Sequence, residues 1–283
     1  MESLHKSGKP KVRLSSLVTF QNTESCISGN KIHTICESGL CPNKRECWGR
    51  GTATFMILGD ICTRACKFCG VKTGKPFPPD IKEQILIADT IKNLKLKHVV
   101  LTSVDRDDLP DYGAQFWIDT IKTIRTQNNG ITIETLIPDF NGNTALLDLF
   151  VQCKPEIVSH NIETVKSLTP VVRSVATYER SLFVLNYLSK RNVHTKSGLM
   201  LGLGEQESEV YQTLDDLREN DCKIVTIGQY YQPSKSHFPV KEMIQPYMFD
   251  KYKDYAMKLG FSFVESGPLV RSSYHAEMQI KVS

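Results

Sequence analysis

The sequence predicts an α/β fold built on a parallel sheet, and two observations carry that prediction. Six short apolar runs, at 54–58, 98–102, 131–136, 156–160, 195–201 and 224–229, read as buried strands. Segments of helical periodicity lie between them, at spacings of roughly 25–35 residues that suit βα units. Such alternation leads to right-handed crossovers and parallel pairing. Pattern alone does not separate a partial barrel from a doubly wound sheet. Both place the active site at the C-terminal ends of the strands.

In chain order, residues 1–30 are polar and weakly patterned and read as an extension lying on the body of the protein, with Lys9-Pro10-Lys11 a solvated arm and Cys26 an inert lone thiol. Cys36, Cys41 and Cys47 follow at C-x4-C-x5-C, with Gly39, Pro42 and Asn43 making the gaps turn-like. After the first strand, Gly59 and Asp60 break the run, and Cys62, Cys66 and Cys69 follow at C-x3-C-x2-C. Asp80 with Glu83 reads as a capping box, opening a helix with Ile81, Ile85, Ala88, Ile91 and Leu94 on one face. Asp111 caps the next, with Ala114, Trp117, Ile118, Ile121 and Ile124 inward. Stretches 146–150, 182–188 and 210–217 supply three more helices. Past Gln232 the repeat ends. Pro246 opens a last helix, Gly260 closes it, and a strand-like 261–264 precedes Arg271-Ser272-Ser273-Tyr274-His275-Ala276.

Composition narrows the function. A chain of 283 residues with 40% hydrophobic content can build a packed core in one large domain or two small ones. Lys plus Arg number 35 against 31 Asp plus Glu, a net +4, which gives no case for nucleic acid as the main partner. No apolar run approaches a membrane span, and Met1 to Leu14 lacks the apolar core of a secretory signal, so the expected location is the cytoplasm; a trimmed organelle precursor stays open. Nine cysteines in a reducing compartment argue for metal or redox chemistry rather than disulfides.

Three thiolates on one tight loop hold three corners of a cubane iron–sulfur cluster and leave the fourth iron open for chemistry. The alternative is zinc, which pairs C-x2-C units and closes at four ligands. Each triplet here is one ligand short, and a zinc or electron-transfer protein is the non-enzymatic rival. The predicted strand ends deliver polar groups to one rim: 102–108, Glu134 with Pro138-Asp139, His160-Asn161-Ile162-Glu163, Gly202-Leu203-Gly204-Glu205 and 229–233. Gly198, Gly202 and Gly204 do not match the dinucleotide fingerprint; their expected use is close backbone approach to a ligand.

With Phe68 just before its last cysteine, the C-x3-C-x2-C loop resembles the signature of radical S-adenosylmethionine enzymes. More narrowly, the chain resembles the lipoyl synthase family from about His33 to Glu277. The resemblance rests on the C-x4-C-x5-C triplet, Ile61-Cys62-Thr63-Arg64, Thr102-Ser103-Val104-Asp105-Arg106-Asp107-Asp108, Glu134-Thr135-Leu136-Ile137-Pro138-Asp139-Phe140, Thr195-Lys196-Ser197-Gly198 and the terminal Arg-Ser-Ser-Tyr-His-Ala. That terminal motif speaks against a maturase or methylthiotransferase with an extra cluster. The chain departs from the family at its start, where Lys9-Pro10-Lys11-Val12 stands in place of a Pro-x-Trp segment.

The resemblance implies a partial (β/α)6 TIM-like barrel at 51–235, an N-terminal extension at 1–50 and a C-terminal extension at 236–283. It implies radical insertion of two sulfur atoms at C6 and C8 of a protein-bound octanoyl-lysine. Cys62, Cys66 and Cys69 would hold the radical-generating 4Fe-4S cluster. Cys36, Cys41, Cys47 and the oxygen of Ser273 would hold an auxiliary 4Fe-4S cluster that gives up its sulfide, Ser273 being its labile corner. For S-adenosyl-L-methionine the implied contacts are Phe68 at the adenine, Asn161 and Arg173 at the ribose and carboxylate, and Asp105 and Glu134 at the amino or ribose groups. Arg271 and Tyr274 would support the auxiliary site, His160 and His275 are candidate proton donors, and Cys153 and Cys222 are inert. The implied partners are octanoylated carrier domains of the 2-oxoacid dehydrogenase acyltransferase subunit and the glycine cleavage H protein, a flavodoxin or ferredoxin as electron donor, and an iron–sulfur carrier protein, with no nucleic acid and no membrane.

Overall fold

In the computed structural model, which describes residues 16–30 and 32–280, three helices come first: α1 (Leu17–Gly29), α2 (Ile35–Ser38) and α3 (Lys44–Gly49). Next are β1 (Thr54–Ile57) and two short strands, β2 (Ile61–Cys62) and β3 (Lys72–Thr73), which pair in parallel and brace the loop between them. The repeat then runs α4 (Lys82–Asn93), β4 (His98–Ser103), α5 (Ala114–Gln127), β5 (Thr132–Leu136), α6 (Thr144–Cys153), β6 (Ile157–Ser159), α7 (Thr169–Val172), α8 (Tyr178–Ser189), β7 (Thr195–Leu201), α9 (Glu207–Glu219) and β8 (Ile224–Gln229). A further unit, α10 (Pro246–Lys258) and β9 (Phe263–Gly267), precedes the short α11 (Ala276–Gln279).

The large sheet has the order β1-β4-β5-β6-β7-β8-β9, and every neighbouring pair is parallel. A doubly wound sheet reverses direction at a switch point. This one never reverses, so the fold is the partial TIM-like barrel. The six expected strands are all present. The repeat does not stop at Gln232, however: Phe263–Gly267 pairs with β8 as a seventh parallel strand, inside the segment read as an extension.

Local signals mostly act as the sequence suggests. Asp111 accepts from the amides of Gly113 and Gln115 at 3.0 and 2.9 Å, and α5 buries Trp117, Ile118, Ile121 and Ile124. Asn143 and Thr177 cap α6 and α8 through their side chains. Two readings need correction. Residues 17–29 form a full helix, capped by Ser16, whose Thr23 and Ile27 are buried; Thr23 Oγ1 donates to the Trp48 carbonyl at 3.1 Å. The apolar positions were too sparse to show it, and the Lys9-Pro10-Lys11 arm lies outside the described residues. On α4, Ile81 and Ile85 are 73% and 51% exposed while Ile87, Ala88 and Ile91 face inward. Glu83 makes no capping box. Its carboxylate turns to β1 and accepts from the amides of Leu58 and Gly59, at 2.8 and 3.3 Å, in the turn that launches the second cysteine loop.

Candidate active site

The first triplet is built on two short helices. Thr34 caps α2 and Cys36 sits in its single turn; Cys41 follows in the turn beyond, and α3 carries Cys47. The C-terminal tail closes over them. Asn43 Nδ2 donates to the Leu269 carbonyl at 2.6 Å, Tyr274 Oη donates to Glu46 at 3.1 Å, and Arg50 pairs with Glu277. Cys36, Cys41, Cys47 and Ser273 thereby line one small hollow of about 30 Å³. Burial, reinforced by the neighbouring thiolates, pushes Cys36 up to about 11 and Cys47 up to about 12; burial also raises Cys41, against the pull of Arg271.

The second triplet lies on the loop between β2 and β3. Cys62 Sγ accepts from the amides of Arg64 and Asp105, at 3.4 and 3.3 Å. Arg64 is buried and locks the loop to the barrel rim. Its guanidinium donates twice to Asp107, at 2.8 and 2.7 Å, and once to Asp139 at 2.8 Å, with Asp105 at 3.3 Å. Burial pushes Asp139 up, but the hydrogen bond and charge of Arg64 outweigh it and hold the carboxyl well below the usual range. Burial pushes Cys62 up to about 12 and Cys69 up to about 11. The two loops touch: a Cβ on Gly70 would lie 3.2 Å from the Ser38 carbonyl oxygen.

A cavity of about 310 Å³ is lined by Cys36 and Cys41 of the first triplet together with Cys62, Cys66, Phe68 and Cys69 of the second loop. Asp105, Asn161 and Arg173 also line it, so four of the five residues expected at S-adenosyl-L-methionine share its wall. Arg173 Nε is buried without a hydrogen-bond partner among the described residues. Glu134 stands apart. It is fully buried inside the barrel, paired with Lys196 Nζ at 2.8 Å and with Ser159 Oγ at 2.9 Å, and does not line the cavity.

Other rim expectations resolve into structural roles. Glu205 accepts from the amides of Gly202 and Leu203, at 2.6 and 3.0 Å. Gly202 and Gly204 approach Gln229, Glu242 and Lys241 rather than a ligand. Gln229 and Tyr230 brace the 230–242 loop. His160 has both ring nitrogens engaged, with Ile137 O and Ser181 Oγ, and burial pushes it down to about 4. His275 stacks on Tyr274. Cys26, Cys153 and Cys222 do not line the cavity. The sequence reading placed Glu163 on the rim but gave it no ligand role. Glu163 is half-buried, lines the cavity and has a left-handed backbone at φ 69°; the signal available was its place after a predicted strand.

These donor sets fit iron–sulfur clusters. A lone zinc ion needs its ligands gathered about one point, within about 2.3 Å of it. Among the described residues no three His, Cys, Asp or Glu side chains converge in that way. A four-iron cluster takes one thiolate at each of several separate irons, and its cationic irons would displace the protons of those thiols.

Known proteins agree with this geometry. The pattern of the radical SAM superfamily matches residues 56–217. The chain is 57% identical over 276 residues to the mitochondrial lipoyl synthase of Nematostella vectensis, covering 96% of this chain and 95% of that protein. It is 56% identical over 277 residues to the lipoyl synthase of Flavobacterium psychrophilum, covering 96% of each. The crystal structure of Streptococcus suis SuiB bound to precursor peptide SuiA shares the fold with a TM-score of 0.59 at 10% identity, over 75% of this chain and 48% of that one. The chain belongs to the radical SAM superfamily and, within it, to the lipoyl synthase family.

Proposed function

We propose that the two cysteine sets serve opposite ends of one reaction. Cys62, Cys66 and Cys69 hold the 4Fe-4S cluster that binds S-adenosyl-L-methionine. Cys36, Cys41 and Cys47, with Ser273, hold the auxiliary 4Fe-4S cluster that supplies sulfur. The reaction is that of a lipoyl synthase: two sulfur atoms enter at C6 and C8 of an octanoyl-lysine on a lipoyl carrier protein. Cluster and S-adenosyl-L-methionine together supply hydrogen-atom abstraction from unactivated C–H bonds, which no side-chain base can ionise.

The chain's residues position and enclose. Phe68 packs against the adenine. Asn161 and Arg173 take the ribose and carboxylate, which gives the orphaned Arg173 Nε an acceptor. Asp105 takes the amino or ribose group. Glu134 keeps a different task, neutralising the buried Lys196. An oxygen is a harder ligand than a thiolate and a poorer match for a cluster iron, so Ser273 would be the most weakly held corner. The observation that carries this reading is that Cys36 and Cys41 of the first triplet line one cavity with all three cysteines of the second, and that Ser273 lines the hollow of the first triplet.

Among partners we propose octanoylated domains of the 2-oxoacid dehydrogenase acyltransferase subunit and the glycine cleavage H protein, a flavodoxin or ferredoxin, and an iron–sulfur carrier protein. We place the chain in the cytoplasm, whose reducing poise suits nine cysteines. Among the described residues no helix is long and apolar enough to cross a membrane.

The deciding experiment incubates anaerobically reconstituted protein with S-adenosyl-L-methionine, reductant and an octanoyl-lysyl peptide, followed by mass analysis. Lipoyl peptide is expected from the native chain. Ser273→Ala is expected to stop lipoyl formation while leaving S-adenosyl-L-methionine cleavage. Normal lipoyl output from that variant would overturn the ligand assignment.

A further inference from the structure

We infer that Ser272 is a positioning residue that sets where its neighbour Ser273 stands; this rests on the reading of Ser273 as a cluster ligand. Ser272 Oγ accepts from Asn161 Nδ2 at 2.8 Å and donates to Asn161 Oδ1 at 3.0 Å. Asn161 is itself held, its Nδ2 donating to Glu163 at 3.1 Å and its carbonyl accepting from Arg173 at 3.4 Å. The contact is possible only over a glycine. A Cβ at Gly198 would lie 2.7 Å from Ser272 Oγ and 2.8 Å from Asn161 Oδ1.

The other bonds of the tail do a different job. Leu269 and Tyr274 tie it to the loop of the first triplet, through Asn43 and Glu46. Those ties move with that loop. Arg271 and Ser272 instead fix the tail to the barrel; the Arg271 guanidinium donates to the backbone carbonyls of Gln229 at 3.1 Å and Val270 at 2.7 Å and lies 5.3 Å from the centre of the Tyr231 ring. Ser272 makes the side-chain bond to the barrel at the position next to Ser273. Its partner Asn161 lines the same cavity and is among the residues proposed for S-adenosyl-L-methionine. The Asn161–Ser272 pair thus joins a residue proposed for S-adenosyl-L-methionine to the neighbour of Ser273 and limits where the Ser273 oxygen can stand.

The test compares Ser272→Ala, Gly198→Ala and the double variant as reconstituted holoproteins. The readout is the rate at which a chelator strips iron from the auxiliary cluster, followed by Mössbauer spectroscopy of the oxygen-ligated iron. The EPR signal of the other cluster is the internal reference. Each single variant is expected to speed stripping about tenfold, the scale of a lost pair of hydrogen bonds. The double variant is expected to be no faster than either single one, because both act on one contact. Stripping at the native rate in Ser272→Ala overturns the inference, as does additive acceleration in the double variant. If Gly198→Ala does not fold, Ser272→Ala decides alone. Ser273→Ala separates the two readings. If it strips at the native rate, the ligand assignment itself fails. If it strips fast while Ser272→Ala does not, only the positioning role is lost.

Discussion

At the scale of single residues, Arg64 shows how a cysteine loop is held without a cysteine. Three carboxylates, Asp105, Asp107 and Asp139, surround one guanidinium that is almost fully buried. A lysine cannot reproduce that planar fork, and a broken buried pair costs about 3–5 kcal/mol. Arg64→Lys is therefore expected to lower the unfolding free energy of the metal-free protein by about 3 kcal/mol, read by urea denaturation. Glu83 gives a pH signature. Burial pushes it up to about 7, against the pull of the Leu58 and Gly59 amides. Its folded pKa lies above its unfolded one, so its contribution falls as pH rises from about 4.5 to about 7 and is flat above. Glu83→Gln is expected to remove that slope from stability measured across this window. The cysteines were legible because their spacing is itself the signal. Glu134 was not: a strand pattern says which side a residue faces, but not how far down the barrel it lies.

At the scale of elements, the strands of the repeat were read almost to the residue, because most are rich in apolar and β-branched residues and all are bounded by polar loops. Failures came where an element is held by a partner distant in sequence. The helix at 17–29 leans on Trp48, and Ile81 and Ile85 look like a core face until the opposite face proves to be the buried one. The crossing of the tail over β8 was equally hidden. A Cβ at Gly228 would lie 2.1 Å from the Val270 carbonyl oxygen, closer than any side chain tolerates. Gly228→Ala is expected to lift the tail off the sheet, seen as cleavage within residues 268–280 by a protease that leaves the native chain intact. The barrel should survive, since the substitution meets the tail alone.

At the scale of the whole molecule, the sheet supplies one cavity and two separate chain ends complete it. A chain ending at residue 268 keeps all seven strands and the whole Cys62–Cys69 loop but loses Ser273. It is expected to retain about four irons where the full chain carries about eight, counted after anaerobic reconstitution and desalting. The bonds that join the two ends, Asn43 to Leu269 and Tyr274 to Glu46, run between residues more than two hundred positions apart. During synthesis the first of these partners leaves the ribosome long before the second exists. A product stopped by a late nonsense codon would carry a finished machine for starting the chemistry and nothing to finish it with. Loss of the segment from Leu269 onward is therefore expected to turn a biosynthetic enzyme into a consumer of its own co-substrate.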